Sequence, residues 1–318
     1  MSDPIVPIPG ADALLAQADA LHDDEPARAL DLLRSIDVAA LDAARLGRLS
    51  FLLDHVAGEK FGLWNEAIDG LRKVVARAGA EVTPLILRHA AVAAHMTADE
   101  ALAREWTQAL AARADAPLDK ARALVVLGAV QFSLGRLTAE AAGRQALHAL
   151  QPLGDLLEAP GGGLDAAFGA VTNNIASELV ERPLPELAQP DLRQALARAA
   201  DLAQRFWERA GTWVNRERAR YLGAMAANAL GEGDAGAAQA RAGLALLDEF
   251  DVDHGEAVDR AFLELELAAG LRLAGRAGRP EALARALALA SRFGQPWLDR
   301  WFSERQTRNE ALAAHYGR

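Results

Sequence analysis

Apolar residues recur along this chain at the spacing of amphipathic helices, and turn signals interrupt them about every fifteen to twenty residues. The loops within each pair of helices are short, so we expect the two helices to be antiparallel neighbours. The pattern predicts seven such pairs and a last helix, with a period of about forty residues. The predicted pairs are 11–36, 38–78, 83–114, 118–150, 164–209, 213–250 and 255–293.

This pattern divides the chain into consecutive parts. We expect a short extended leader over 1–10, four helix pairs over 11–151, three helix pairs over 164–295 and a C-terminal capping helix over 296–318. The segment 152–163 interrupts the pattern, because Pro160 is followed by three glycines. An ordinary long loop and a hinge between two groups of helices both fit this segment.

The composition specifies the fold class. The chain has 318 residues, of which 73 are Ala and 49 are Leu. Both residue types favour helices, whereas the β-branched and aromatic residues that strands favour are scarce. The composition therefore predicts an all-α protein and argues against a sheet-based enzyme fold.

Several of the predicted pairs carry a recognisable arrangement of small and large residues. The fourth pair has Leu127-Gly128, Leu134-Gly135, Ala141 and Pro152, and the fifth contains the stretch Asn173-Asn174-Ile175-Ala176. At these positions the chain resembles the tetratricopeptide repeat family. The resemblance implies an α-solenoid of about seven antiparallel helix pairs with a concave groove that binds a protein or peptide.

The second pair matches that family only in its later half. Gly62, Trp64 and Ala67 stand at the family's positions, but Asp54 and His55 occupy the places where Leu and Gly are expected. The sixth pair has one residue more than the family's usual spacing between its two Leu-Gly steps. The resemblance therefore covers most of the chain and is divergent in each repeat.

Charge and cysteine content restrict the functional classes. The net charge is −10, which argues against a broad surface for nucleic acid. No cysteine is present, so disulfides, thiolate zinc sites and thiol nucleophiles are excluded. The sequence shows neither a secretory signal nor a long apolar run, and we expect a cytoplasmic protein that neither crosses nor binds a membrane.

No known catalytic or cofactor motif appears. His89 and His95 are six residues apart, which does not give the i, i+4 pair of a helical metal site. The densest group of potential ligands is Asp251, Asp253, His254 and Glu256, and its acidic residues fit the start of a helix better than a calcium loop. The sequence predicts no catalytic residue, no cofactor and no metal.

The resemblance also implies which residues line the groove, because the first helix of each repeat faces it. This places at the groove Asn173, Asn174, Ser177, Glu181, Arg216, Arg220 and Asn228. Arginine and asparagine from adjacent repeats are similar to the family's carboxylate clamp, so an acidic partner or a C-terminal carboxylate is expected. The register is uncertain by one residue, which leaves Arg218 as an alternative, and an ordinary solvated helix face also fits these arginines.

The last predicted helix is unusually aromatic. Trp297 and Trp301 are four residues apart, with Phe302 and Tyr316 nearby. This helix could cover the open end of the solenoid. It could also present an aromatic patch to a partner or to a second copy of the chain, which would give a homodimer.

Three classes of function fit these observations. The leading one is a non-enzymatic scaffold or adaptor that binds a partner segment in its groove, and it follows partly from fold analogy. The second is a regulatory protein that responds to a ligand or a signal peptide. The third is an all-α enzyme, whose candidate polar residues are Asn173, Glu178, Glu181, Arg216 and Arg220.

Overall fold

The computed structural model describes residues 10–158, 162–253 and 255–317. Every regular element in these ranges is helical, which confirms the all-α prediction. Nearly all of the predicted leader and the candidate ligand His254 lie outside them. Among the described helices, none has both the length and the apolar character that a bilayer span requires.

The α-helices follow one another with short connections. In chain order they are α1 Ala11–Leu21, α2 Pro26–Arg34, α3 Ala43–Leu52, α4 Trp64–Ala78, α5 Pro84–Met96, α6 Glu100–Arg113, α7 Leu118–Ser133, α8 Ala139–Leu150, α9 Leu153–Glu158, α10 Asp165–Val180, α11 Pro190–Ala210, α12 Trp213–Ala229, α13 Gly233–Phe250, α14 Ala257–Leu273, α15 Arg279–Ala290 and α16 Pro296–His315. Short 3₁₀ turns lie at Val38–Ala40, Gly79–Glu81, Leu134–Arg136 and Glu186–Ala188.

Two segments differ from the pattern in the sequence. The helix predicted over 38–57 consists of a 3₁₀ turn, then α3, and then a π-helical segment, Leu53–Lys60. This segment extends into the region after residue 57, where Gly58 and Gly62 predicted the loop between the two helices of the second pair. In the segment 152–163, where the sequence predicts a loop or a hinge, residues Leu153–Glu158 form the short helix α9.

Side-chain caps explain where several helices begin. The Asp42 carboxylate accepts a hydrogen bond from the Arg45 amide at the start of α3. Before α12, Thr212 and Asn215 form a capping box, in which each side chain accepts a hydrogen bond from the other residue's backbone amide. Such caps satisfy amides that have no partner within the helix, and each contributes about 1 kcal/mol.

The chain divides into two compact units, Met1–Phe132 and Ser133–Arg318. In the first unit, α1 packs against α2 and α3, and α5 packs against α3, α4 and α6. Its core contains fully buried leucines on successive helices, such as Leu46, Leu71 and Leu110. The boundary between the units falls in a different place from the predicted loop at 152–163.

In the second unit each helix from α10 to α14 packs against the helix that follows it, and α11 also packs against α8. The helices α10, α12 and α14 form a second set of neighbours, since α12 contacts both of the others. The last helix, α16, contacts α14 and α12. We call α10, α12, α14 and α16 the inner helices of this unit.

Glycine allows two helices of this unit to approach closely. A Cβ atom at Gly143 on α8 would lie 2.5 Å from the backbone nitrogen of Leu192 on α11. We expect Gly143→Ala to lower the free energy of unfolding by about 1–3 kcal/mol, because the two backbones must separate. Urea denaturation measures this change. Gly47→Ala is the control: its Cβ would lie 3.9 Å from Leu85, so this variant should be neutral or gain up to about 1 kcal/mol of helix propensity.

Candidate functional site

A buried network of polar side chains joins the four inner helices. At its centre, the Glu266 carboxylate of α14 accepts hydrogen bonds from Arg305 Nε at 2.6 Å and Asn309 Nδ2 at 3.0 Å, both from α16. Its other oxygen accepts a hydrogen bond from Asn228 Nδ2 of α12 at 2.8 Å. Glu266 and Asn228 are fully buried, and Arg305 is 3% exposed. Such a buried charge pair is tolerated only when most of its polar atoms have partners.

The network reaches α10 through the two arginines of α16. Arg305 Nη1 lies 3.2 Å from the Glu181 carboxylate, which directly follows α10. Arg308 donates to the carbonyls of Val180 and, at 2.7 Å, Arg182. Guanidinium groups are favourable at this position, because the last carbonyls of a helix carry partial negative charge and have no partner within it.

The charge of each group follows from its surroundings. Burial favours the protonated form of Glu266, but the Arg305 guanidinium and the amide hydrogen bonds keep its pKa below the usual value. The carboxyl is therefore ionised at neutral pH. Burial raises the pKa of the nearby Tyr221 hydroxyl, so this group stays protonated.

Several buried polar atoms around the network have no hydrogen-bond partner among the described residues. They are Tyr221 Oη, Asn228 Oδ1, Arg305 Nη2, Arg308 Nε and Asn309 Oδ1, of which Arg308 Nε still lies 3.8 Å from the Glu181 carboxylate. An unpartnered donor or acceptor in a protein interior costs about 1–3 kcal/mol. The network thus retains donors and acceptors beyond those that hold α16 in place.

A second polar group lies on the same side of α12, one turn before Tyr221. Neither oxygen of the Glu217 carboxyl has a hydrogen-bond donor among the described residues. Burial, together with the nearby Asp259 carboxylate, raises the pKa of Glu217 to about 8. Asp259 in turn accepts a hydrogen bond of 2.9 Å from Arg218. At neutral pH, Glu217 therefore holds a proton that it can donate to Asp259.

The predicted groove residues separate into two groups. Glu181 and Asn228 both belong to the buried network. Arg220 instead contacts Gln204 and Glu208 of α11 and Gln239 of α13, and the Arg216 guanidinium lies 5.9 Å from the Phe250 ring centroid of α13. The two arginines thus contact α11 and α13, whereas the amide nitrogen of Asn228 bonds to Glu266 of α14.

The remaining predicted residues lie on α10. Asn173 and Ser177 are half-buried, and Asn174 is exposed. Ser177 precedes Glu181 by four residues, so the two share one face of the chain at the end of α10. Glu178, a candidate in the enzyme hypothesis, points elsewhere, since its carboxylate lies near Gly135.

The first unit contains a buried serine–histidine pair. Ser50 Oγ lies 2.9 Å from His89 Nδ1, and burial lowers the pKa of His89 well below its usual value. A nucleophilic serine needs a hydroxyl that a substrate can reach. Ser50 is fully buried and also donates to the Gly47 carbonyl at 2.7 Å, so this pair fits packing and not catalysis.

Asp54, at the start of the π-helical segment, is also buried. Neither of its carboxyl oxygens has a hydrogen-bond partner among the described residues. Burial raises its pKa well above the usual value, although the Arg88 guanidinium acts in the opposite direction.

The same unit brings together three side chains that could hold a metal ion. Their ligand atoms lie within 4.8 Å of one another, and the residues are His22, Asp23 and His55. The sequence analysis missed this group, because the two histidines are far apart in the chain and belong to different helix pairs. No local motif connects them.

Glu266, Arg305 and Asn309 were not predicted from the sequence either. For Glu266 and Arg305, however, the spacing of polar residues along the chain could have indicated the network. Asn228, Glu266 and Arg305 are separated by 38 and 39 residues, which is close to the forty-residue period of the helix pairs. Polar residues that recur at the repeat period in apolar helices are expected to meet across neighbouring repeats.

Comparison with known proteins adds no identity to this arrangement. No protein-family model matches the chain. No curated protein matches it either.

Proposed function

We propose that this protein is a non-enzymatic, tetratricopeptide-like scaffold that binds a segment of a partner protein along its inner helices. The contacts among α10, α12 and α14, each of which also packs against the following helix, support a solenoid arrangement of helix pairs. In such an arrangement the first helix of each pair lines the concave side. The inner helices of the second unit would then be the binding face.

The observation that carries this proposal is the way in which α16 is held. Its Phe302 side chain packs in a buried cluster with Phe262 of α14 and Ala286 of α15, and its Arg305 side chain is buried against Glu266 of α14. The aromatic contact between Trp301 and Phe262, with ring centroids 4.3 Å apart, lies one turn before the Arg305–Glu266 pair. On each helix the two contacting residues are four positions apart, so these contacts fix the register of α16 against α14. That α14 accepts a neighbouring helix through such contacts supports the proposal that this side of the unit receives a helical segment.

We place the partner segment beside α16 and not in its place. Arg305 and Glu266 are both buried, so displacing α16 would leave a carboxylate without its counter-charge in the interior. Ser177 of α10 is half-buried and lies one turn before Glu181, which contacts Arg305 of α16. Trp301 of α16 remains 45% exposed. Half-exposed tryptophan on an ordered helix is typical of protein interfaces.

Site-specific photocrosslinking tests this placement. A benzoylphenylalanine residue at position 177 should crosslink to a partner in the native lysate, because Ser177 borders the proposed binding face. The matched control is position 194, since Gln194 is exposed on α11 and belongs to a different surface. We expect one defined adduct from position 177, none from position 194, and a loss of at least tenfold in the adduct when Trp301→Ala is added.

Two results would contradict the proposal. One is an adduct from position 194 that equals or exceeds the adduct from position 177. The other is an adduct from position 177 that is unchanged by Trp301→Ala. Circular dichroism of each variant confirms that the helices are retained, so that lost crosslinking is not caused by unfolding.

A ligand-responsive regulatory protein is the second candidate function. The observation that favours it is the group of unpartnered atoms near the network, above all Tyr221 Oη and Arg305 Nη2. A small polar ligand could satisfy both atoms and so stabilise the contact between α12 and α16. Mass spectrometry of the gently purified protein would detect such a ligand as a defined added mass.

A further inference from the structure

Two histidines and an aspartate converge at one end of the first helix pair. His22 directly follows α1, Asp23 lies in the turn before α2, and His55 belongs to the π-helical segment. His22 Nε2 lies 3.3 Å from Asp23 Oδ2, and His55 Nε2 lies 3.6 Å from Asp23 Oδ1. The Nε2 atoms of both rings are therefore directed at the same carboxylate.

The other nitrogen of each ring is already engaged. His22 Nδ1 lies 2.5 Å from the carbonyl oxygen of Asp19. His55 Nδ1 lies 2.5 Å from the Glu59 carboxylate. In both pairs the oxygen can only accept, so Nδ1 carries the proton and donates it. The Nε2 atom of a neutral ring then presents a lone pair, which is how metal-binding histidines are usually oriented.

Phe51 holds both imidazole rings in this orientation. Its ring stacks on His55 at a centroid distance of 5.3 Å, and it meets His22 edge to face at 6.1 Å. His55 and its partner Glu59 are four residues apart in the π-helical segment, so both side chains lie on the same face of that segment. A site whose ligands are held by packing and by secondary hydrogen bonds loses little conformational freedom when an ion binds.

We propose that His22 Nε2, His55 Nε2 and the Asp23 carboxylate bind one divalent first-row transition-metal ion, such as Zn²⁺. Imidazole nitrogen and carboxylate oxygen are both zinc ligands, at about 2.0–2.2 Å, so two ligands of a tetrahedral ion lie about 3.3 Å apart. The Asp23 carboxylate approaches this distance from each ring through a different oxygen, 3.3 Å from Oδ2 to His22 and 3.6 Å from Oδ1 to His55. One ligand atom from each of the three residues lies within 4.8 Å of the others, so the side chains would draw together around an ion. Imidazole nitrogens disfavour Mg²⁺ and Ca²⁺, which take oxygen ligands.

The charges around the site are consistent with a cation. Lys60 Nζ lies 3.0 Å from Asp23 Oδ1 and competes with the ion for that oxygen. A bound ion would displace the ammonium group of Lys60.

Calorimetric titration of the full chain with zinc chloride tests the site, after removal of metals by dialysis against a chelator. We expect one Zn²⁺ per chain. His22→Gln and His55→Gln should each weaken the binding at least tenfold, because each removes one of three protein ligands. His95→Gln is the matched control, since His95 is an exposed histidine of the same unit, and it should leave the affinity unchanged.

Lys60→Met distinguishes a metal site from a cluster of ion pairs. Loss of the competing ammonium group should tighten Zn²⁺ binding severalfold, an increase that an ion-pair cluster without a metal would not produce. Three results would overturn the proposal: no Zn²⁺ binding by the wild-type chain, equal losses in His55→Gln and His95→Gln, or no gain in Lys60→Met. Circular dichroism confirms that each variant retains its helices.

Discussion

Arg305→Met is expected to lower the free energy of unfolding of the second unit by about 3–5 kcal/mol, as removal of one partner from a buried ion pair generally does. The substitution keeps the apolar stem of the side chain, but it leaves the Glu266 carboxylate fully buried without its counter-charge. Urea denaturation followed by circular dichroism measures the loss. Arg276→Met is the control, because its pair with Asp234 is exposed, and such pairs contribute about 0–1 kcal/mol.

A double-mutant cycle separates this effect from lost packing. Adding Glu266→Gln to Arg305→Met removes the uncompensated charge. The oxygen of the new amide can still accept a hydrogen bond from Asn228 or Asn309, and its NH2 group can donate to the unpartnered Oδ1 of the other once that side-chain amide is reversed. The double variant should therefore recover part of the stability, giving a coupling energy of about 2 kcal/mol or more. If Arg305→Met alone costs less than about 1 kcal/mol, the pair is not a buried one in solution.

Glu217→Gln is expected to make the protein more stable at alkaline pH. The folded chain holds a proton on Glu217, whose pKa is about 8, whereas the unfolded chain releases it near the usual value of 4.5. Stability contributed by this group therefore falls as pH rises from about 4.5 to about 8, and it does not return above that range. The amide that this substitution introduces cannot ionise and can still donate to Asp259.

The measurement is the difference in free energy of unfolding between variant and wild type, determined at several pH values. Between pH 4.5 and pH 9 this difference should move in favour of Glu217→Gln by roughly 2–4 kcal/mol. Glu249→Gln on α13 is the control, because Glu249 is exposed, and its curve should run parallel to that of the wild type. Parallel curves for Glu217→Gln as well would show that this carboxyl titrates normally.

Local patterns were sufficient to predict the helices. The Ala-Leu composition indicated the all-α class, and polar capping residues such as Thr212 mark helix starts that can be recognised in the sequence. The pattern failed where the backbone departs from α-helical geometry. In the π-helical segment the apolar spacing no longer follows the period of an α-helix, so the sequence suggested a loop near Gly58.

The candidate site was predicted only in part. Glu181 and Asn228 were selected because the family resemblance places them on the inner face, and both lie in the buried network. Their partners Glu266 and Arg305 come from later helices, and single charged residues in a helix usually indicate a solvated face. Only three-dimensional packing shows that these two charges are buried against each other.

The π-helical segment also affects how this chain can be aligned with the sequences of helical-repeat proteins. A helical turn closed by a hydrogen bond between residues i and i+5 contains about one residue more than an α-helical turn. The segment Leu53–Lys60 therefore contains more residues than an α-helix of the same length would. A gap-free alignment that is in register over α3 is therefore out of register beyond Leu52. An alignment that matches Trp64 and Ala67 instead places Asp54 and His55 where tetratricopeptide repeats carry Leu and Gly, so matching both sides needs a one-residue gap in this segment. Insertions or deletions of single residues are accordingly easier to accommodate here than in the flanking helices.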